Sequence, residues 1–331
     1  MVHDPRLTLA TSVSAEARAT MEPLGRMFAA MPQQSIPTTQ DGFDQAATVG
    51  AAVQEAWTAS AVASLSPVTE NDTIRGIPLI DVRARDKRDD GTLLLYIHGG
   101  GFVQGSARAS LLMAALMADR TGRRVVSIDY TLSPRADYRT ITDQVAAVYE
   151  ALVESGQAPG SIGMFGESAG GAIAASSILK LRVRGVPIPA AVLLISPVTD
   201  LYAHGDTHIT VADHDFLGGA RLRAVYRAYA SEADFAEPYA SPLFGDFAKG
   251  FPATLIQVGT REVLLSDSVR LNRAIRTAGG VSTLDVYEGM PHVFEQMVPD
   301  APEGRQAWDE IAAFWTAWLT PGETGGKAAA R

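Results

Sequence analysis

Short apolar runs alternate with stretches of helical periodicity along most of the chain, and this alternation restricts the fold more than any other feature. The runs are rich in Val, Ile and Leu, as is typical of strands that are covered on both faces of a sheet. They predict strands at 93–98, 124–130, 161–166, 190–196 and 253–259, and the alternating segment 282–289 predicts a sixth. A sheet of such strands needs helices on both sides.

Helical patterns lie between and after these strands. In 140–155 and 303–319 the apolar residues recur at a spacing of about 3.6 residues, so they share one face of a helix. A third helix is predicted to end near residue 278, with Ser266 or Asp267 as its N-terminal cap. Strands that alternate with helices predict an α/β fold class, with a mostly parallel central sheet flanked by helices.

Two regions interrupt the alternation. Residues 1–60 have a helical pattern without strands, and residues 200–245 separate two strands by far more than the usual loop of about 2–6 residues. The second region therefore holds structure of its own or forms a functional lid. At 331 residues the chain is long enough for about two domains.

The composition excludes several classes of function. A formal net charge of −9 argues against nucleic acid and against an anionic membrane surface as partners. Because the chain contains no cysteine, it has no disulfide, no thiolate nucleophile and no cysteine-ligated metal. The first residues lack the apolar stretch of a signal peptide, and no window resembles a membrane span. These features predict a soluble, cytoplasmic protein.

A Gly-x-Ser-x-Gly motif at 166–170 follows a predicted strand and precedes a helical pattern. The motif needs this strand–turn–helix setting, because a serine at a sharp turn presents its hydroxyl above the sheet. The flanking glycines let neighbouring backbone pass without a clash with a Cβ atom. The bare pattern is common by chance, and an ordinary glycine-rich turn is the alternative. Its context marks Ser168 as the candidate nucleophile.

The HGGGF block at 98–102 directly follows another predicted strand, and a chance match to it is far rarer. Consecutive glycines free the backbone to turn several N–H groups toward one point, as an oxyanion hole requires. We assign Gly100 and Gly101 as donors, with the N–H group of Ala169 as the third.

The other residues of this block are given structural roles. Gly99 is interpreted as a hinge of the turn, and His98 as a residue that orients the loop through a hydrogen bond. A phosphate-binding turn of the dinucleotide type is the alternative for the whole block. Its Gly-x-Gly-x-x-Gly spacing fails, because the third position counted from Gly99 is Gln104.

The GMPHVF block at 289–294 comes just after the last predicted strand. A general base must come from a loop at the carboxyl edge of the sheet to reach the serine, so His292 is the candidate base. The acid should follow the strand at 253–259, in the chain order serine, acid, histidine. Glu262 is the first choice and Asp267 the second, since capping a helix N-terminus also explains Asp267.

A cluster of imidazole and carboxylate groups lies within the 200–245 region. Such groups together can ligate zinc or another divalent cation. The cluster consists of His204, Asp206, His208, Asp213, His214 and Asp215. It contains no His-Glu-x-x-His pattern, so solvated polar residues are the favoured interpretation and no metal site is predicted.

Taken together, these blocks resemble the bacterial hormone-sensitive-lipase-like esterases, a family of the α/β-hydrolase superfamily. The resemblance covers most of residues 90–320. Besides the three motifs it includes the segments IDYTLSP at 128–134, SPVTDL at 196–201 and SPLF at 241–244. It implies that Ser168 is the nucleophile, that His292 is the base and that the HGGGF backbone forms the oxyanion hole.

The resemblance also implies a helical cap over the catalytic core. The expected division is 1–55 for the N-terminal part of the cap, 56–199 with 246–322 for the core, 200–245 for the cap insertion and 323–331 for a disordered tail. Short-to-medium acyl esters are the implied substrates, and neither a cofactor nor a metal is implied. Members of the family are often dimers, so a homodimer is one expected assembly.

Two positions depart from the usual pattern of the family. Glu167 stands where the family has Asp, and Glu262 begins a segment that is usually Asp-Pro-Leu. The extra methylene group of Glu262 requires a different backbone approach to His292. The sequence predicts a serine carboxylic-ester hydrolase. The alternatives are hydrolysis of an amide, lactone or carbamate and a non-catalytic binding protein on the same scaffold.

Overall fold

An eight-stranded sheet forms the centre of the molecule in a computed structural model of the chain, which describes residues 9–30, 36–86, 90–217 and 220–321. In chain order the strands are β1 (Val68–Ile74), β2 (Ile77–Arg83), β3 (Leu93–Ile97), β4 (Arg124–Ile128), β5 (Ile162–Glu167), β6 (Ala191–Ile195), β7 (Ala253–Gly259) and β8 (Ser282–Tyr287). Their order across the sheet is β1-β2-β4-β3-β5-β6-β7-β8.

The six strands from β3 to β8 are parallel, and β1 and β2 pair antiparallel with their neighbours. The predicted α/β fold with a mostly parallel sheet is therefore confirmed. The six predicted strands are β3 to β8, each within two residues at either end. The pattern predicts neither β1 nor β2. β1 is the outer strand of an edge hairpin and exposes nearly all its side chains, and Pro78 and Asp81 interrupt the apolar residues of β2.

Helices connect the strands and cover both faces of the sheet. They are α1 (Ala15–Ala30), α2 (Gln40–Leu65), α3 (Leu111–Thr121), α4 (Tyr138–Glu154), α5 (Ala169–Val183), α6 (Thr207–Thr210), α7 (Ala220–Tyr229), α8 (Leu265–Thr277), α9 (Phe294–Met297) and α10 (Pro302–Trp318). The predicted helices at 140–155 and 303–319 correspond to α4 and α10. The expected cap at Ser266 or Asp267 is wrong, because both residues lie inside the first turn of α8.

The side chains of β3 show how the sheet is buried on both faces. Leu93, Leu95 and Ile97 pack into one core with α4 and α5, whereas Leu94 and Tyr96 pack into the other core with α3 and α10. All five side chains are at most 1% exposed. Helices on both sides therefore account for the near-continuous apolar run of this strand.

Two regions lie outside the regular alternation of strands and helices. Helices α1 and α2 precede the sheet, and α2 runs without a break through the expected domain boundary at residue 55. Helices α6 and α7 belong to the segment between β6 and β7 at residues 200–245, which we call the β6–β7 insertion. The expected disordered tail at 323–331 lies outside the described residues. No helix in the described ranges is both long and apolar enough to cross a membrane.

Candidate active site

Four loops meet at the carboxyl edge of the parallel strands, where sheets of this kind bind ligands. Ser168 follows β5, the HGGGF block follows β3, Glu262 follows β7 and His292 follows β8. A cavity of about 250 Å³ opens at this edge, and its wall includes Ser168, His292 and the three glycines of the HGGGF block. The fold thus brings groups that are far apart in the sequence to one cavity.

Ser168 lies in a strained turn between β5 and α5. Its backbone has φ 56° and ψ −122°, a conformation that residues with a side chain rarely adopt. A Cβ atom on Gly166 would lie 2.4 Å from the carbonyl oxygen of Gly170, and one on Gly170 would lie 2.1 Å from that of Ile97. Both glycines of the motif are therefore needed for the turn that places Ser168 at the cavity wall.

The HGGGF block forms another side of the cavity. Gly100 and Gly101 have φ values of 108° and 61°, in the region that favours glycine. Among the described residues, no acceptor takes the backbone N–H groups of Gly100, Gly101 or Ala169. Three unpaired N–H groups beside Ser168, two of them in the cavity wall, are suited to a bound oxyanion.

Gly99 and His98 are held by packing and hydrogen bonds within the loop and its neighbours. A Cβ atom on Gly99 would lie 2.9 Å from the backbone carbonyl oxygen of Glu167, so glycine is needed for a close approach of two loops. The φ of Gly99 is not positive, so the requirement for glycine comes from this close approach, and its role as a hinge of the turn stays a prediction. His98 is fully buried, its Nδ1 lies 2.8 Å from the carbonyl oxygen of Gly99, and its ring stacks on Tyr130.

A hydrogen bond joins His292 to Glu262. His292 Nδ1 lies 2.8 Å from Glu262 Oε2, and Glu262 is fully buried. Glu262 Oε1 accepts hydrogen bonds from the N–H group of Gly259 and the hydroxyl of Ser196, each at 2.7 Å. A carboxylate fixed in this way keeps the proton on Nδ1 of the imidazole, which leaves Nε2 as the basic nitrogen.

Ser196 connects the acid loop to the base loop, a role that the sequence does not predict. Its hydroxyl donates to Glu262 and accepts a hydrogen bond from the N–H group of Val293 at 3.2 Å. Its backbone has a φ of 46°, which also marks a constrained position. The one sequence signal was its place at the start of the SPVTDL segment, directly after β6.

The charges around His292 favour its protonated form. Burial acts to lower the pKa of His292, but the hydrogen bond and charge of Glu262 raise it, with smaller contributions from Asp215 and Glu167. The pKa of His292 therefore lies above its ordinary value. Ser168 and His292 share the cavity without a hydrogen bond between them, and such bonds often close only when substrate binds.

Glu167 places a second buried carboxyl group beside Ser168. Its Oε1 accepts hydrogen bonds from the Tyr96 hydroxyl and the Gly99 N–H group, each at 2.8 Å. Burial raises the pKa of Glu167 to about 7, and these hydrogen bonds limit the rise. Glu167, the last residue of β5, thus joins that strand to β3 and to the HGGGF block. In the sequence it stands out only because the family usually has Asp there.

Asp267, the second choice for the acid, is engaged elsewhere. Its carboxylate accepts hydrogen bonds from the N–H groups of Thr199 and Asp200 at 2.7 and 3.1 Å, and lies 3.0 Å from His208 Nε2. These partners lie after β6 and in the β6–β7 insertion. The geometry therefore favours Glu262 as the partner of His292.

The histidines and aspartates of the β6–β7 insertion do not converge. In the part of the chain that the structure describes, no three His, Cys, Asp or Glu side chains are placed to hold a metal ion. His204, Asp213 and His214 are exposed, as expected for solvated residues. The same expectation is wrong for His208 and Asp215, whose side chains are buried against α8 and the loop of Glu262.

The sheet order and the turn at Ser168 define the class of protein as an α/β hydrolase. The family described as alpha/beta hydrolase fold matches residues 94–296, which is more than half of the chain. The match spans the HGGGF block, the turn of Ser168 and the loop of His292, so it covers all the candidate groups described above.

Individual relatives narrow this class. An acetyl-hydrolase of Streptomyces hygroscopicus is 36% identical over 231 residues, which cover 70% of this chain and 77% of the relative. An esterase of Acinetobacter venetianus is 32% identical over 76% of this chain and 84% of the relative. A crystal structure of an esterase from the bacterial hormone-sensitive lipase family is 30% identical in sequence, with a TM-score of 0.82. The superposition covers 94% of this chain and 100% of that esterase. The chain belongs to the bacterial hormone-sensitive-lipase-like esterase family of the α/β hydrolases.

Proposed function

We propose that the protein is a serine carboxylic-ester hydrolase that works through an acyl-enzyme. Ser168 is the nucleophile, His292 the general base and Glu262 the acid that orients the base. The observation that carries this proposal is the 2.8 Å hydrogen bond between His292 Nδ1 and Glu262 Oε2, at a cavity whose wall also contains Ser168. The esterase relatives support the same reaction.

The reaction proceeds in two attacks on the same carbonyl carbon. His292 takes the proton of Ser168 as the hydroxyl oxygen attacks the ester, and Glu262 stabilises the resulting imidazolium. His292 then donates that proton to the leaving alcohol, so the acyl group remains on Ser168. In the second half, His292 deprotonates a water molecule that attacks the acyl-enzyme. The carboxylic acid leaves as Ser168 regains its proton.

Negative charge develops on the carbonyl oxygen during both attacks. The N–H groups of Gly100, Gly101 and Ala169 stabilise it, and the absence of an acceptor for them among the described residues supports this assignment. One such donor is typically worth a factor of about 10²–10³ in rate. Side chains and backbone of the chain itself thus handle every proton and charge in the sequence of steps.

Small-molecule esters with short-to-medium acyl groups are the proposed substrates. Apolar side chains from three regions line the cavity of about 250 Å³: Phe43 from α2, Val198 after β6, and Leu217 and Val225 from the β6–β7 insertion. Walls of this kind bind short hydrocarbon groups. In this proposal the N-terminal helices and the β6–β7 insertion form the cap over the core. Cytoplasmic location and a homodimer stay predictions of the sequence.

Hydrolysis of p-nitrophenyl acetate, butyrate and octanoate by wild type and Ser168→Ala tests the proposal. We expect hydrolysis by wild type and a loss of about 10⁴-fold or more in kcat in the variant. Circular dichroism of both proteins checks that the fold is intact. Folded wild type without activity on any of the three esters contradicts the proposal. Faster cleavage of the matching p-nitroanilides than of the esters moves the assignment to amide hydrolysis.

A further inference from the structure

The β6–β7 insertion holds both polar groups of one residue in the loop of the acid. The Thr207 hydroxyl donates to the carbonyl oxygen of Val263 at 2.6 Å, and Asp215 Oδ2 accepts from the N–H group of Val263 at 2.7 Å. Thr207, Asp215 and Val263 are all buried. Val263 directly follows Glu262, so two side chains of the insertion contact the backbone next to the acid.

These two contacts constrain the position of Glu262. The N–H group of Val263 belongs to the peptide unit that starts at the Glu262 Cα atom, and the carbonyl of Val263 belongs to the next unit. Because peptide units are planar, a hydrogen bond to each one fixes the direction in which the chain leaves Glu262. Ser196, Gly259 and His292 contact only the carboxylate of Glu262. Within the loop, the N–H group of Leu265 donates to the carbonyl oxygen of Glu262 at 3.3 Å. The insertion therefore supplies the backbone constraint that reaches the chain after Glu262 from outside the loop.

Further contacts join the insertion to α8. The N–H group of Ser266 donates to the Thr207 hydroxyl oxygen, and the N–H group of Thr207 donates to the Ser266 hydroxyl oxygen, each at 2.9 Å. A Cβ atom on Gly205 would lie 2.5 Å from the Ser266 Cβ atom, so this approach requires glycine. The insertion and the start of α8 are thus in direct contact.

Asp215 also bonds to a residue of the cavity wall and acts on the base through its charge. Its Oδ1 accepts from the N–H group of Leu217 at 2.8 Å, and Leu217 lines the cavity. The charged groups that face His292 are Glu262 from the acid loop, Asp215 from the insertion and Glu167 from β5, and each acts to raise the pKa of His292. The segment that contributes a wall to the cavity thus also contributes charge at the base.

We propose that Thr207 and Asp215 are positioning residues for Glu262, so that the insertion that walls the substrate cavity also sets the geometry of the acid–base pair. This inference rests on the proposed role of Glu262 as the triad acid. The insertion contributes to kcat through Glu262, beyond any contribution to substrate binding.

The first experiment compares Thr207→Val with Thr207→Ser on p-nitrophenyl acetate. Valine removes the hydroxyl at similar size, whereas serine retains it. We expect Thr207→Val to lower kcat by about 10- to 100-fold, since small displacements of catalytic groups have effects of this size. KM should change little, and Thr207→Ser should restore most of the activity. Thr210→Val is the matched control, because Thr210 is exposed on the same short helix.

The second experiment compares Asp215→Asn with Asp213→Asn. Both variants remove one negative charge from the same segment, but Asp213 is exposed. His292 must be neutral to act as a base, and loss of the Asp215 charge should lower its pKa. We therefore expect the acid limb of kcat/KM to move to lower pH and kcat to fall in Asp215→Asn only. Unchanged kcat with a raised KM in both Thr207→Val and Asp215→Asn overturns the proposal.

A proton NMR measurement separates this inference from the proposed function. The Nδ1–H proton of His292 in its hydrogen bond to Glu262 should give a downfield signal in wild type. We expect Thr207→Val to shift or weaken this signal and Thr210→Val to leave it unchanged. An unchanged signal in Thr207→Val contradicts positioning even if the enzyme acts on a different bond. If Thr207→Val does not fold, the downfield signal of His292 is compared between Asp215→Asn and Asp213→Asn instead. An unchanged signal in Asp215→Asn then contradicts positioning.

Discussion

The nucleophile side and the acid side of the active site are held by different parts of the molecule. On the nucleophile side, neighbouring strands supply the contacts. The N–H group of Ser168 donates to the carbonyl oxygen of Ile195 at 2.9 Å, and that of Gly99 donates to Glu167 at 2.8 Å. On the acid side, Val263 is bonded to Thr207 and Asp215 of the β6–β7 insertion.

This difference follows from where each loop leaves the sheet. The turn of Ser168 passes directly from β5 into α5, so the ladder of parallel strands continues to support it. The loop of Glu262 spans residues 260–264, between β7 and α8. Thr207 and Asp215, both outside the sheet, bond to the backbone of Val263. Gly259 of β7 and Ser196 directly after β6 bond to the Glu262 carboxylate. Loss of the contacts from the insertion should therefore affect the acid and the base more than the nucleophile and the oxyanion hole.

The largest effect on the acid side is expected for Glu262→Gln. The carboxamide cannot hold His292 in the same tautomer or stabilise the imidazolium, so kcat on p-nitrophenyl acetate should fall by about 10⁴-fold. Asp267→Asn is the comparison, because Asp267 bonds to the backbone of Thr199 and Asp200 instead. A crippling effect of Asp267→Asn together with a mild effect of Glu262→Gln would show that the acid has been assigned wrongly.

An intermediate effect is expected on the nucleophile side for Gly100→Ala. A Cβ atom there would lie 2.0 Å from the carbonyl oxygen of Gln104, so the loop must move and its N–H groups lose their alignment. We expect kcat to fall by about 10²-fold. In Gly101→Ala the added Cβ atom meets nothing closer than Val225 Cγ2 at 3.5 Å, and the loss should be smaller. Equal losses of kcat at both positions would show that the positive φ, rather than crowding of the added Cβ atom, is what requires glycine in this loop.

The smallest effect is expected for Glu167→Gln, because Glu167 on the nucleophile side acts on His292 only through its charge. With a pKa of about 7, Glu167 ionises as the pH rises, and its negative charge raises the pKa of His292. Glu167→Gln removes the charge but keeps an oxygen that can accept from Tyr96 and Gly99. Since His292 must be neutral to act, we expect the acid limb of kcat/KM, measured from about pH 5 to pH 9, to move to lower pH. A limb that stays in place or moves to higher pH contradicts this electrostatic link.

Much of the fold and part of the site can be predicted from the sequence because their signals are local. The strands β3 to β7 each have an apolar run and β8 has an alternating pattern. The glycines around Ser168 and in the HGGGF block reflect local crowding at the turns. β1 has no such signal, because five polar residues separate Val68 from Ile74. The pairing of Glu262 with His292 is also predictable, since two parallel strands carry them to the same edge.

The contacts that support the acid are decided by the tertiary structure alone. Thr207 and Asp215 lie 56 and 48 residues from Val263 and belong to no motif. Asp267 has the residue type of a helix cap and lies in the first turn of α8, yet its carboxylate accepts hydrogen bonds from backbone N–H groups that follow β6. Local patterns determine which segments become strands, helices and tight turns. The partner of each buried polar group depends on how distant loops pack, because burial leaves such a group only the donors and acceptors that packing brings to it.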